Sequence, residues 1–263
     1  MNFIRGLGLS GLLLLLTACV TTTDSSLSKK TDLDKAGDQY VQLGLEYIKR
    51  DDLQRARKHL QRALEIDPKN AAALGAMGLI YQEEGELKLA EKSFVASIDN
   101  DPKYTRGRTY YGAFLFSQGK FEEALKHFEQ AGEDTAYEGR AQIFTNIALC
   151  NLKLGRQEEA LTGYEKTLRL DRNNGRALSG ATELLIQLGR YDKAQQNYNT
   201  LVAMIRQQGM NHTAQSLWQG IRIARHFGSM EQVKSLATVL GSSYPDSPEY
   251  AQYRALMSGG VAQ

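Results

Sequence analysis

The sequence predicts an all-α fold: a solenoid of about six stacked helical hairpins closed by a terminal helix. Three observations predict it. Apolar residues recur at spacings of three and four, small residues recur once per unit, and a turn residue stands between the two helices of each unit. The stretch Ala71 to Tyr104 shows all three. Leu74, Met77, Gly78 and Tyr81 share one face of a first helix, and Ala90, Phe94 and Ser97 the matching face of a second. Gly78 and Ala90 are small enough for two helix backbones to approach closely, with Phe94 filling the space beside them. Gly85 marks the turn. Pro102 has no N–H to give to a continuing helix and ends the unit.

The same marks recur along the chain. The place of Gly85 is taken by Asp51, Gly119, Gly155, Gly189 and Gly228. The alanine of the second helix appears as Ala56, Ala90, Ala124, Ala160 and Ala194, with Val233 in the last copy. Four residues later stand Leu60, Phe94, Phe128, Tyr164 and Tyr198, with Ala237 last. This places units at about 37–70, 71–104, 105–138, 141–174, 175–208 and 214–247, with short insertions near Gly139 and Gly209–Thr213. Ser247-Pro248-Glu249 is a helix start, with Ser as N-cap and Pro in the first turn. Tyr250, Tyr253 and Leu256 give that helix, over 248–257, one apolar stripe to cover the last unit; residues 258–263 form a tail. The unit resembles the tetratricopeptide repeat, a helix–turn–helix of about 34 residues. That resemblance implies a right-handed superhelix whose first helices line a concave groove.

The amino terminus carries a processing signal over 1–18. Arg5 supplies a positive start, Leu12 to Leu16 an apolar core, and Thr17-Ala18 small residues before Cys19. The apolar run is too short for a comfortable transmembrane helix. Leu16-Thr17-Ala18-Cys19 resembles the lipobox of bacterial lipoproteins, which implies cleavage before Cys19 and acylation of its thiol. An ordinary secretory signal with a chance cysteine is the alternative. Val20 after the cysteine resembles the outer-membrane sorting pattern of enterobacterial lipoproteins. Residues 19–36, rich in Thr, Ser, Asp and Lys, read as a lipidated cysteine followed by a flexible tether.

Composition excludes several function classes. Charges nearly cancel, at a formal +2, whereas nucleic-acid binding wants a concentrated basic face. Gly6-Leu7-Gly8-Leu9-Ser10-Gly11 matches a dinucleotide-binding pattern only on paper, since it follows no strand and lies in the signal. His59 and His127 hold equivalent places on second helices, and no metal-ligand spacing accompanies His212 or His226. Cys150, among Ile147, Ala148 and Leu149, reads as a small buried hydrophobe rather than a reactive thiol. Glu83-Glu84 and Glu122-Glu123 flank turns and read as solvated surface. The expectation is a protein that is not an enzyme, with no cofactor, no metal, no nucleic acid and no small-molecule substrate.

What remains is a surface. In tetratricopeptide repeats the groove side chains come from fixed positions of each unit, and here these hold Val41, Leu45, Ile48, Leu79, Phe116, Leu149, Leu152, Ile186 and Trp218. Lys49, Arg106, Lys153, Arg176 and Arg222 rim this apolar set. Either the set lies exposed as a binding site for a helix or extended peptide, or some members pack against neighbouring units. The Lys and Asn clamp that some chaperone-binding members use on a terminal carboxylate is absent, because Val41, Leu45, Gly75 and Leu79 stand at those positions.

Certain segments are more specific than a generic repeat. They are Tyr111-Gly112-Ala113-Phe114-Leu115 with Gln118-Gly119, and Asp134-Thr135-Ala136-Tyr137 leading to Arg140, Asn146 and Leu149. A third runs through Ser216-Leu217-Trp218, Gly220-Ile221-Arg222 and Ala224-Arg225 to Tyr244-Pro245-Asp246-Ser247. Together, behind a lipobox, they resemble the PilF/PilW family of type IV pilus biogenesis lipoproteins. The resemblance implies a pilotin: a protein anchored to the outer membrane by its lipid, with its body in the periplasm, that binds secretin subunits and promotes their localisation and multimerisation. A repeat lipoprotein that organises peptidoglycan enzymes or outer-membrane barrel assembly is the alternative.

Overall fold

A computed structural model describes residues 26–259. The signal, Cys19, the first part of the tether and residues 260–263 lie outside the described residues. Among the described residues every regular element is a helix, thirteen in order. Six hairpins pair α1 (Ser26–Lys49) with α2 (Leu53–Ile66), α3 (Ala71–Glu83) with α4 (Leu87–Asn100), and α5 (Thr105–Ser117) with α6 (Phe121–Gly132). They continue with α7 (Arg140–Lys153) and α8 (Gln157–Leu170), α9 (Gly175–Gln187) and α10 (Tyr191–Gln207), and α11 (Ala214–His226) and α12 (Met230–Ser243). The closing helix α13 (Pro248–Met257) packs on α11 and α12.

Each hairpin turns where the sequence marks it. Gly85, with φ of 77°, and its counterparts Gly119, Gly155, Gly189 and Gly228 all adopt the left-handed conformation. A side chain other than glycine is strained there, and Asp is among the residues that tolerate it best. Asp51 fills the first copy at φ 59°. The junctions between hairpins are also built alike. The carboxylates of Asp67, Asp101 and Asp171 accept from the backbone N–H two residues on, at 2.9, 2.9 and 3.2 Å. Asn70 and Asn174 then cap the following helices by accepting from the N–H groups of Ala73 and Ala177. Ser247 caps α13 the same way, and Pro248 stands in its first turn.

Within a hairpin the helices close on small residues. Ala56, Ala90, Ala124, Ala160 and Ala194 are fully buried. Gly78 faces the Phe94 ring, and Gly112 faces Phe128. In the fourth and fifth hairpins the aromatic is a tyrosine, and it reaches farther: Tyr164 lies against Gly180 and Tyr198 against Gly220, each glycine belonging to the next hairpin. Neighbouring hairpins are further tied at their turns by ion pairs, Arg57 to Glu84, Arg156 to Glu122 at 2.5 Å and Arg190 to Glu158 at 2.6 Å. These are largely solvated and each contributes at most about 1 kcal/mol.

First helices touch first helices along the stack, α1 on α3, α3 on α5, α5 on α7 and α9 on α11, while no comparable contact joins successive second helices. The first helices therefore crowd the inner, concave side of the superhelix. The tether expectation needs correction: α1 begins at Ser26, inside the stretch read as flexible. Residues 26–36 contain neither Pro nor Gly, so nothing stops the helix. Once residues 41–48 are docked, propagation backwards adds one hydrogen bond for each residue fixed, without a second nucleation step.

Candidate functional site

Three separate recesses involve the expected lining residues. The first, about 390 Å³, has Val41 and Leu45 at its floor and Tyr104, Arg106 and Tyr137 among its walls. The second, about 90 Å³, lies between α5 and α7 and is lined by Ala113, Phe116, Phe128, Asn146 and Leu149. The third, about 360 Å³, gathers Trp218 and Arg222 with Tyr191, Arg225, His226 and Leu256 at the carboxy-terminal end.

The expected lining residues divide accordingly. Phe116 and Leu149 come together, both half-buried, in the most apolar of the three recesses. Phe116 is held edge-on to Phe121 with ring centroids 5.1 Å apart. Leu152 is exposed; Ile48, Leu79 and Trp218 are half-buried. Val41, Leu45 and Ile186 need correction as exposed lining, being only 3, 8 and 3% exposed. Val41 and Leu45 pack with Leu60, Ala73, Ala76 and Met77 of the first two hairpins, and Ile186 with Ile223 of the sixth. The reason is geometric: a first helix is flanked by its own partner and by the next hairpin, so a side chain on its inner face can be consumed by the stack.

Tyr104, Tyr137, Tyr191 and Leu256 were not among the expected site residues. Tyr104 ends its unit and Tyr191 opens a second helix, so neither falls on the face that repeat positions assign to the groove. Burial raises the pKa of Tyr104 and of Tyr110 beside it, so both phenols stay neutral hydrogen-bonding groups. Cys150 is fully buried and its thiol is pushed up to about 12 by burial, which suits a packing role and not a nucleophile.

Among the described residues no cluster of three or more His, Cys, Asp or Glu could hold a metal ion. No described helix is long and apolar enough to cross a membrane. The recesses offer apolar faces, aromatic rings and guanidinium groups, which suits recognition of a polypeptide.

Comparisons with known proteins agree with this architecture. Tetratricopeptide repeat models match residues 71–104 and 105–173, and a TPR repeat model matches 44–85. The type IV pilus assembly protein PilF of Pseudomonas aeruginosa is 36% identical over 242 residues, covering 91% of this chain and 94% of that protein. The chain belongs to the PilF/PilW family of tetratricopeptide-repeat proteins. A solved structure of Pseudomonas aeruginosa PilF superposes with a TM-score of 0.77 at 35% identity, over 86% of this chain and 99% of that one. PilW, described as a widely conserved type IV pilus biogenesis factor, shares the fold with a TM-score of 0.67 at 22% identity, over 83% of this chain and 98% of that one. As a PilF/PilW member the chain has the family's right-handed repeat superhelix.

Proposed function

We propose that this chain is an outer-membrane lipoprotein of type IV pilus biogenesis that binds secretin subunits in its groove and promotes their localisation and multimerisation. The observation that carries the reading is kinship to a type IV pilus assembly protein over 91% of the chain. The lipobox Leu16-Thr17-Ala18-Cys19 supports the anchor, with Cys19 as the acylated residue. Acyl chains stabilise membrane attachment by about 0.8 kcal/mol per buried CH₂, so two or more hold the protein firmly. Holding client and groove at one surface raises their effective concentration without new contacts. The protein acts as a binding partner and not as an enzyme.

The apolar recess of Phe116 and Leu149 is the proposed anchor point for the client, with Leu79, Leu152 and Ile48 on the same inner face. The chain carrying Phe116→Glu and Leu149→Glu should lose secretin co-purification while circular dichroism keeps its helical signal. Retained co-purification would remove this recess from the client site. A Cys19→Ser chain should leave the outer-membrane fraction and leave secretin mislocalised. Outer-membrane fractionation of that chain at the parental level would contradict the anchor.

A further inference from the structure

The carboxy-terminal recess differs in chemistry from the apolar one around Phe116. Trp218, Arg222 and Arg225 follow one another at spacings of four and three along α11, so they share a face, and His226 adjoins them. Tyr191 enters from the start of α10 and Leu256 from α13. The rings of Tyr191 and His226 stack at 3.7 Å, within 3° of parallel. Two guanidinium groups line the recess and no carboxylate does.

The two arginines are not equivalent. Arg222 donates to Glu183 at 2.6 Å, both side chains about three-quarters buried, and its guanidinium lies 5.9 Å from the centre of the Trp218 ring. It is held in place and largely neutralised. Gln219 braces the same junction by donating to the Ser179 carbonyl at 2.9 Å. Arg225 is exposed and makes no ion pair or side-chain hydrogen bond among the described residues. It presents a free planar fork of donors beside an aromatic wall.

We propose that this recess is a second binding site, for an acidic peptide segment in which a carboxylate adjoins an aromatic or aliphatic side chain. A free guanidinium fork matches a carboxylate in bidentate fashion. Trp218, Leu256 and the Tyr191–His226 stack offer planar and apolar surface to the neighbouring side chain. The volume, about 360 Å³, is at the small end of ligand sites and fits one or two side chains, not a folded domain. With positive charge alone on its lining, the recess selects against basic segments. The site is independent of the secretin reading and does not require it.

The chain contains a single tryptophan, Trp218, so emission excited selectively from tryptophan, at wavelengths that the 13 tyrosines do not absorb, reports this recess alone. The probe is a peptide of sequence Gly-Glu-Phe-Glu-Gly with both ends blocked, titrated into the purified chain. Its counterpart with Gln in place of Glu is the control. A saturable change in Trp218 emission is expected, weakening as salt rises, with the Gln peptide and the Arg225→Gln chain each binding about tenfold more weakly or worse. Circular dichroism of Arg225→Gln should be unchanged, because the side chain is exposed. Equal responses to both peptides, no response, or full binding by Arg225→Gln would overturn the proposal. Binding that appears only in a chain ending at Gly259 would overturn it too, assigning the recess to residues 260–263. The chain carrying Phe116→Glu and Leu149→Glu should bind the acidic peptide normally, so loss of secretin co-purification and loss of this site are read separately.

Discussion

The ring of Phe94 occupies the space that a side chain at Gly78 would need: a Cβ there would stand 2.6 Å from two of its ring carbons. Phe94 is fully buried and has no room to withdraw. Alanine in place of a mid-helix glycine ordinarily adds about 1 kcal/mol of helix stability. Here the contact reverses the sign. Gly78→Ala should lower the denaturant midpoint, Gly78→Val should destabilise by about 1–3 kcal/mol, and Phe94→Leu combined with Gly78→Ala should recover part of the loss. A Gly78→Ala chain more stable than the parent in guanidinium unfolding would show that the ring moves aside.

Cys150 offers a test of core accessibility. In a Cys19→Ser chain it is the remaining thiol of two. Burial closes it off and pushes its pKa up to about 12, so almost no thiolate forms near neutrality. A disulfide reagent such as Ellman's should therefore react slowly with the folded chain at pH 8 and rapidly in denaturant. Rapid reaction under native conditions would mean that α7 opens locally far more readily than its packing implies.

Acid should weaken the fold before the carboxylates titrate. The pKa of His127 is lowered by burial and by Arg108 and Lys126 nearby, against a smaller opposing pull from Glu123, and that of His212 by burial. In the unfolded chain both should titrate near about 6.5. Below that pH the unfolded chain takes up protons that the folded protein resists. The stabilisation is complete above about 6.5 and is lost as pH falls through the lowered folded values. The denaturant midpoint should drop as pH falls below about 6.5, and His127→Gln with His212→Gln should flatten the drop. An unchanged slope in that double variant would assign the effect elsewhere.

The turns and the hairpin seams were legible because each rests on a local demand. Positive φ calls for glycine or a tolerant substitute, which is why Gly85 and even Asp51 could be placed from sequence. Closing two helices on Ala90 beside Phe94 calls for a small residue at a fixed spacing. The start of α1 was not legible, because an absent stop signal leaves no mark in the sequence. Lining residues were legible only in part. Periodicity shows which face of a helix is apolar, but it does not distinguish a neighbour from an open recess; hence Phe116 and Leu149 meet at a cleft while Ile186 is consumed by the stack. The carboxy-terminal recess draws Tyr191, Trp218 and Leu256 from three separate helices, a juxtaposition with no local sequence signature.

Aromatic side chains bridge successive hairpins along the array: Phe94 of the second packs on Tyr111 and Phe114 of the third, and Tyr164 and Tyr198 seat against glycines of the hairpins that follow them. No such ring belongs to one hairpin alone. A client tugging on the groove would therefore load its neighbours through shared rings, and the array should yield as a spring and not unzip link by link.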